Sequence, residues 1–180
     1  MTGPCKYLLA VRVSVQDHRA LVADLRQLLR VRLIDPLDIV AGEAVPDAFA
    51  TIASAADVQA EVWAVQLLDG GSVIARHAAA RIVAVLYPGD DVFDPAASWW
   101  ETPLGRAIAT RVGHPGAEVV STATAAAMLG ISRQGVADLL RRGKLSAHPD
   151  GGVVSASVAH RLSTFDQQRS PRARTDRVHR

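Results

Sequence analysis

Arg133, Gln134, Ala137, Asp138 and Arg141 fall one, three or four residues apart, so a helix would carry them as one outward stripe. Val136, Leu139 and Leu140 take the opposite side of that helix, which gives it one face to bury and one to offer. An arginine fork matches the paired acceptors of guanine and a glutamine amide matches adenine, while Ala137 either meets a thymine methyl or permits close approach. Asp138 has two readings: it accepts from cytosine, or it repels phosphate and orients Arg141 or Arg142. A stripe of this kind suits entry into a DNA major groove.

The preceding residues would have to hold that helix in place. From Thr122 to Leu140 the chain reads as a helix-turn-helix, with Ala125, Ala126 and Leu129 inward and Ala126 small enough for a second helix to cross it. Gly130 closes the first helix in the left-handed conformation that glycine tolerates. Ile131 plugs the turn, and the Ser132 hydroxyl caps the next helix. The alternative is an ordinary hairpin in an all-helical core, but alanine-rich composition alone does not account for Ala126, Gly130, Ile131, Ser132 and Val136 together. Beyond Arg142, Gly143 stops the helix, Lys144–His148 reads as a short strand, and Pro149–Gly152 reads as a turn. Val153 and Val154 return as a second strand, and Ser155 caps a last helix carrying Val158, Leu162 and Phe165.

Helix, turn, helix, hairpin wing and helix, with Ala126, Leu129, Gly130, Ile131, Ser132, Val136, Leu139, Gly143 and Leu145 in their places, resembles the DNA-binding domain of the excisionase and MerR group. The resemblance covers residues 118–165, about a quarter of the chain, and implies a winged helix-turn-helix fold with double-stranded DNA as partner. In that group the wing commonly carries Arg or Lys along the phosphate backbone, whereas this hairpin offers Lys144 and His148 beside Asp150, a weaker anchor. Arg133, Gln134 and Arg141 are the expected base contacts. Thr122, Ser132, Arg142, Lys144 and His148 are expected to position the backbone. The end of the chain, Gln167–Arg180, has five arginines and almost no apolar residues. It reads as a basic disordered tail, either adding salt-sensitive phosphate contacts or merely solubilising the chain.

Charge divides the 180 residues in the same way. Residues 1–117 carry 10 basic against 13 acidic side chains, and residues 118–180 carry 10 against 5. The acidic part should therefore face away from DNA or toward another protein. We expect a mainly α chain in three parts: a helical dimerisation or interaction domain over 1–116, a winged helix-turn-helix over 117–166, and the tail over 167–180. Arg111–Gly116 is the natural joint. The lone Cys5 gives no disulfide framework and no cysteine-rich zinc site, and with no secretory signal evident a reducing, nucleoid-associated cytoplasmic address is expected.

In the N-terminal part, Leu21, Leu25, Leu28 and Leu29 predict a helix that Asp35-Pro36 ends. A second helix is predicted over Asp47–Leu68 with Ile52, Ala56, Val62 and Val65 inward. A third begins at a Ser72 cap with Ile74, Ala78, Ile82 and Val85 or Leu86 inward. The fourth has Thr102 at the cap, Pro103 in its first turn, Leu104, Ile108 and Val112 inward, and Gly113 at its end. Alternation from Tyr7 to Val15 suits a strand without an evident partner, or a helix. Asp94, before Pro95, reads as a helix cap rather than a cation ligand with Asp90 and Asp91. Trp99-Trp100 reads as core packing, or else as an effector pocket or dimer contact, with at least one ring off the main core.

No metal-ligand pair, phosphate loop, nucleophile elbow or acid-base pair is recognisable, so catalysis and cofactors are not expected. The reading is a sequence-specific DNA-binding protein, a transcriptional regulator or autorepressor acting as a homodimer, because one short helix reads only a few base pairs. Two alternatives stand beside it: a DNA-coating or architectural protein, and an antitoxin or adaptor working mainly through protein contacts.

Overall fold

The structure is a computed structural model that describes residues 14–41, 46–89 and 93–169, and it is mainly helical. Helix α1 (Val15–Leu29) starts where the Ser14 hydroxyl accepts from the N–H groups of Gln16 and Asp17. Leu21, Leu25 and Leu29 recur every fourth residue and are all buried, and Leu28 packs beside them.

Asp35-Pro36 does not end the run as expected. The helix widens into a π turn (Arg30–Ile34) and continues as α2 (Asp35–Ala41). In that wider turn the Asp35 N–H bonds to the Arg30 carbonyl, five residues back, so the ladder has already shifted where proline lacks its donor.

Helices α3 (Pro46–Leu68) and α4 (Ser72–Leu86) have the expected extents; α4 buries Ala78, Ile82 and Leu86 as expected, whereas the inward face of α3 differs. Of the residues expected inside, Ile52, Val62 and Val65 on α3 and Ile74 on α4 are 40 to 52% exposed, while Ala56 packs half-buried against the core, and of Val85 or Leu86 it is Leu86 that is buried. The core takes Ala60, Trp63, Ala64 and Leu67 from α3, and on α4 it adds Ala75 and Ala79 to the expected Ile82 and Leu86. Because α3 is apolar on nearly every side, periodicity does not choose its face; the area of Trp63 and Leu67 does. Ser72 is the first residue of α4 and caps nothing, since Gly71 holds the cap position.

A 3-10 turn (Ala97–Glu101) leads into α5 (Pro103–Arg111). Asp94 does not cap that turn; Ala96 stands at the cap position without a side-chain bond. Thr102 does cap α5, its hydroxyl accepting from the Gly105 N–H at 3.0 Å, and Asp24 on α1 accepts from the Leu104 N–H at 2.9 Å. Two of the orphan donors at that helix start are thereby satisfied. At the other end Arg111 donates to the carbonyls of Leu67 and Gly70, which closes the C-terminus of α3.

Helices α6 (Thr122–Leu129), α7 (Arg133–Arg141) and α8 (Ser155–Arg169) complete the chain with two short strands, β1 (Val119–Val120) and β2 (Val153–Val154). The strands pair antiparallel, Val119 with Val154 and Val120 with Val153. Two cores result. Helices α1, α3, α4 and α5 surround one; Trp100 and Ala109 join Val120, Ala125, Met128, Val136, Val153 and Val158 in the other. Because α5 serves both, Arg111–Gly116 is not a free joint. The His114 N–H donates to the buried Ser155 hydroxyl, so Ser155 ties the two parts together instead of capping α8.

In α8, Val158 is buried and Leu162 half-buried, but Phe165 lies 41% exposed beneath the Arg161 guanidinium. Gln167–Arg169, expected in the tail, belong to this helix. Cys5, the Tyr7–Val13 alternation, Asp90, Asp91 and residues 170–180 lie outside the described residues. Among the described residues no helix is long and apolar enough to cross a membrane.

Candidate nucleic-acid interface

Helix α7 is fixed at both ends by backbone geometry that its sequence dictates. Gly130 adopts φ 65°, the Ile131 N–H reaches back to the Ala126 carbonyl (3.0 Å), and the Gly130 N–H reaches the Ala127 carbonyl (3.2 Å). These are the paired bonds of a Schellman ending, and they turn the chain sharply out of α6. The same pair recurs after α7, from Lys144 to Leu139 (2.8 Å) and from Gly143 to Leu140 (3.0 Å), with Gly143 at φ 62°. Between them the Ser132 hydroxyl accepts from the Gly135 N–H at 3.1 Å, capping α7 as expected.

Packing then sets the rotation of α7. Val136 is fully buried and Leu139 and Leu140 are half-buried, so Arg133, Gln134 and Arg141 are left exposed with Ala137 and Asp138 between them. Ala125 and Ala126 are buried beneath the crossing as expected; Leu129 is half-buried, and Met128, which the sequence reading passed over, is buried in its place. Ile131 does not plug the turn. It is 39% exposed and lies over Gly135, where a Cβ would come within 3.3 Å of its Cδ1, so the missing side chain at 135 gives Ile131 its seat.

Asp138 holds both neighbouring arginines. Its Oδ1 accepts from Arg141 at 2.6 Å and its Oδ2 from Arg142 at 2.7 Å, in keeping with the orienting role. Arg133 forms no ion pair among the described residues.

The hairpin is smaller than the sequence suggested. Lys144–His148 is not a regular strand: only Ala147 bridges to Val153, with the Val154 N–H bonded to Ser146 and the His148 N–H to Gly152. The regular partner of β2 is β1, which at two residues shows no alternation to read. Lys144 is exposed beyond Gly143. His148 is drawn into its own turn, accepting from the Asp150 N–H at 3.3 Å with the Asp150 carboxylate at 3.8 Å. Thr122 is the first residue of α6, half-buried, and the cap before it is Ser121, which accepts from the Thr124 N–H and meets the Thr124 hydroxyl at 2.8 Å. The Ser-x-x-Thr spacing carried that signal.

Behind this module lies an aromatic cluster. Trp100 is buried in the second core, while Trp99 is half-buried and donates from Nε1 to the Tyr87 hydroxyl at 2.6 Å. Phe93 stands edge-on to both Tyr87 and Trp99, and these rings with Asp24, Arg32 and Asp94 border an open cavity of about 570 Å³. His114 packs against Phe93 and Trp100; burial lowers its pKa below the ordinary 6.5, against the pull of Asp94 and a bond to the Phe93 backbone.

No protein-family model, curated protein or solved structure matches this chain. The site is a short helix, capped at its start and closed by a turn at its end, whose outer edge holds a guanidinium, an amide and a methyl, with further cations at its C-terminal end. Among the described residues no group of three or more His, Cys, Asp or Glu could hold a metal ion.

Proposed function

We propose that this protein is a sequence-specific DNA-binding protein, a dimeric transcriptional regulator that inserts α7 into the major groove. One observation carries the reading: Val136 is fully buried while Arg133, Gln134 and Arg141 stay exposed on a helix bounded by two Schellman turns. That arrangement suits base-edge recognition, since a guanidinium and an amide held on one edge of a helix discriminate guanine and adenine. The winged helix-turn-helix reading gains support from the hairpin beside it and from the basic excess of residues 118–180. Lys144 and Arg142 would neutralise phosphates, and Asp138 would keep Arg141 and Arg142 from binding any duplex indiscriminately.

Selection of bound fragments from random DNA near physiological salt, followed by footprinting, tests the proposal. A regulator protects one or two defined half-sites. Protection that spreads with concentration would favour a DNA-coating role, and the absence of any specific band would favour an adaptor working through protein contacts.

A further inference from the structure

Helix α3 is apolar on two opposite sides, and among the described residues only one of them is covered. Ala60, Trp63, Ala64 and Leu67 enter the core. On the outer side Thr51, Ala55, Val58, Val62 and Val65 are all exposed, Val58 to 63%. Their spacing of four, three, four and three residues is that of a coiled-coil seam, which aligns with the matching ridge of another helix. The seam is also uneven. Its N-terminal half is small, with a shallow depression of about 530 Å³ between Ala50, Thr51, Ser54, Ala55 and Val58, whereas its C-terminal half carries Val62 and Val65.

We infer that this outer seam of α3 joins two copies of the chain, with the helices antiparallel. In that arrangement Val62 of one copy meets Val58 of the other, and Val65 enters the depression beside Ala55, twice over about a two-fold axis. A two-fold interface must be complementary to itself, and a helix with a bulky half and a hollow half meets that condition when reversed. Charge permits it: between Asp47 and Asp69 the only charged side chains of α3 are Asp57 and Glu61, and both are turned to α1, where Arg26 lies 3.4 and 3.2 Å away and His18 meets Glu61 at 3.1 Å. Like surfaces thus meet without like charges. The inference deepens the proposed function by naming the surface that pairs two readers, and rests on it only for the need of a second copy.

Sedimentation equilibrium of the full chain without DNA tests the pairing. The expected mass is twice the 19.1 kDa of one chain. Val58→Glu and Val62→Glu should each bring it to the single-chain mass with helical circular dichroism unchanged, because both side chains are exposed in the monomer. Val40→Glu, on the 85% exposed end of α2, should leave the dimer intact. In a Cys5→Ala background, Ala55→Cys should cross-link to Val65→Cys and not to itself. A monomeric wild type, a dimer that survives both glutamates, or an Ala55→Cys self-cross-link would overturn the inference. Because no DNA is present, none of these results bears on whether α7 reads bases.

Discussion

Asp138 is the residue whose two readings have opposite consequences for DNA. Its carboxylate holds Arg141 and Arg142 at 2.6 and 2.7 Å. Exposed ion pairs contribute little to stability, so the effect of breaking them should appear in binding and not in folding. Asp138→Asn should leave the melting temperature nearly unchanged, raise affinity for random DNA several-fold and steepen its salt dependence, measured by fluorescence anisotropy across a salt series. Weaker binding confined to one base position would instead make Asp138 a cytosine contact. His114 offers a prediction about stability. Burial lowers its folded-state pKa, so the unfolded chain takes up a proton first, and stability is fully retained above about pH 6.5 and lost as pH falls below it. Melting temperatures from pH 8 to 5 should therefore decline less steeply for His114→Gln than for the wild type; equal slopes would contradict the assignment.

Two glycines at positive φ, Gly130 at 65° and Gly113 at 88°, differ in whether an added side chain would also clash. At Gly130, φ 65° is the only obstacle to a side chain, since an added Cβ meets nothing within 4 Å. Gly130→Ala should cost about 1 to 2 kcal/mol in chemical denaturation. At Gly113 a Cβ would lie 2.5 Å from the Ser155 hydroxyl and 2.8 Å from its carbonyl, so Gly113→Ala should cost clearly more and disturb the seam between α5 and α8. Comparable losses for the two would contradict this account. Their contrast also shows what was legible. Gly130, Ser132 and Val136 could be read because caps and turns are local, and Thr102, Pro103 and Leu104 marked α5 for the same reason. The inward face of α3 could not, because a helix apolar on nearly every side has no preferred one until Trp63 and its neighbours compete for the core, whereas on α4 Ala78, Ile82 and Leu86 were legible. Pro36 misled because a π turn upstream had already shifted the ladder, which no single residue announces. On α7 the exposed stripe was legible, while the capture of Arg141 and Arg142 by Asp138 was left as one of two readings, since spacing alone allows both.

Across the whole molecule the sequence suggested two domains and a joint, whereas α5 contributes Leu104 and Ile108 to one core and Ala109 to the other. A shared helix couples the two cores, so calorimetry should find a single unfolding transition; two resolved transitions would show independent domains. In the proposed dimer, that coupling would set the spacing between the two copies of α7. The most direct test of the proposed function compares wild type and Arg133→Ala by competition on a selected site and on random DNA. The expected loss is about 1 to 3 kcal/mol, or about 5- to 150-fold, on the selected site with little change on random DNA. Equal losses on both would mean that Arg133 only touches phosphate and that α7 does not read sequence.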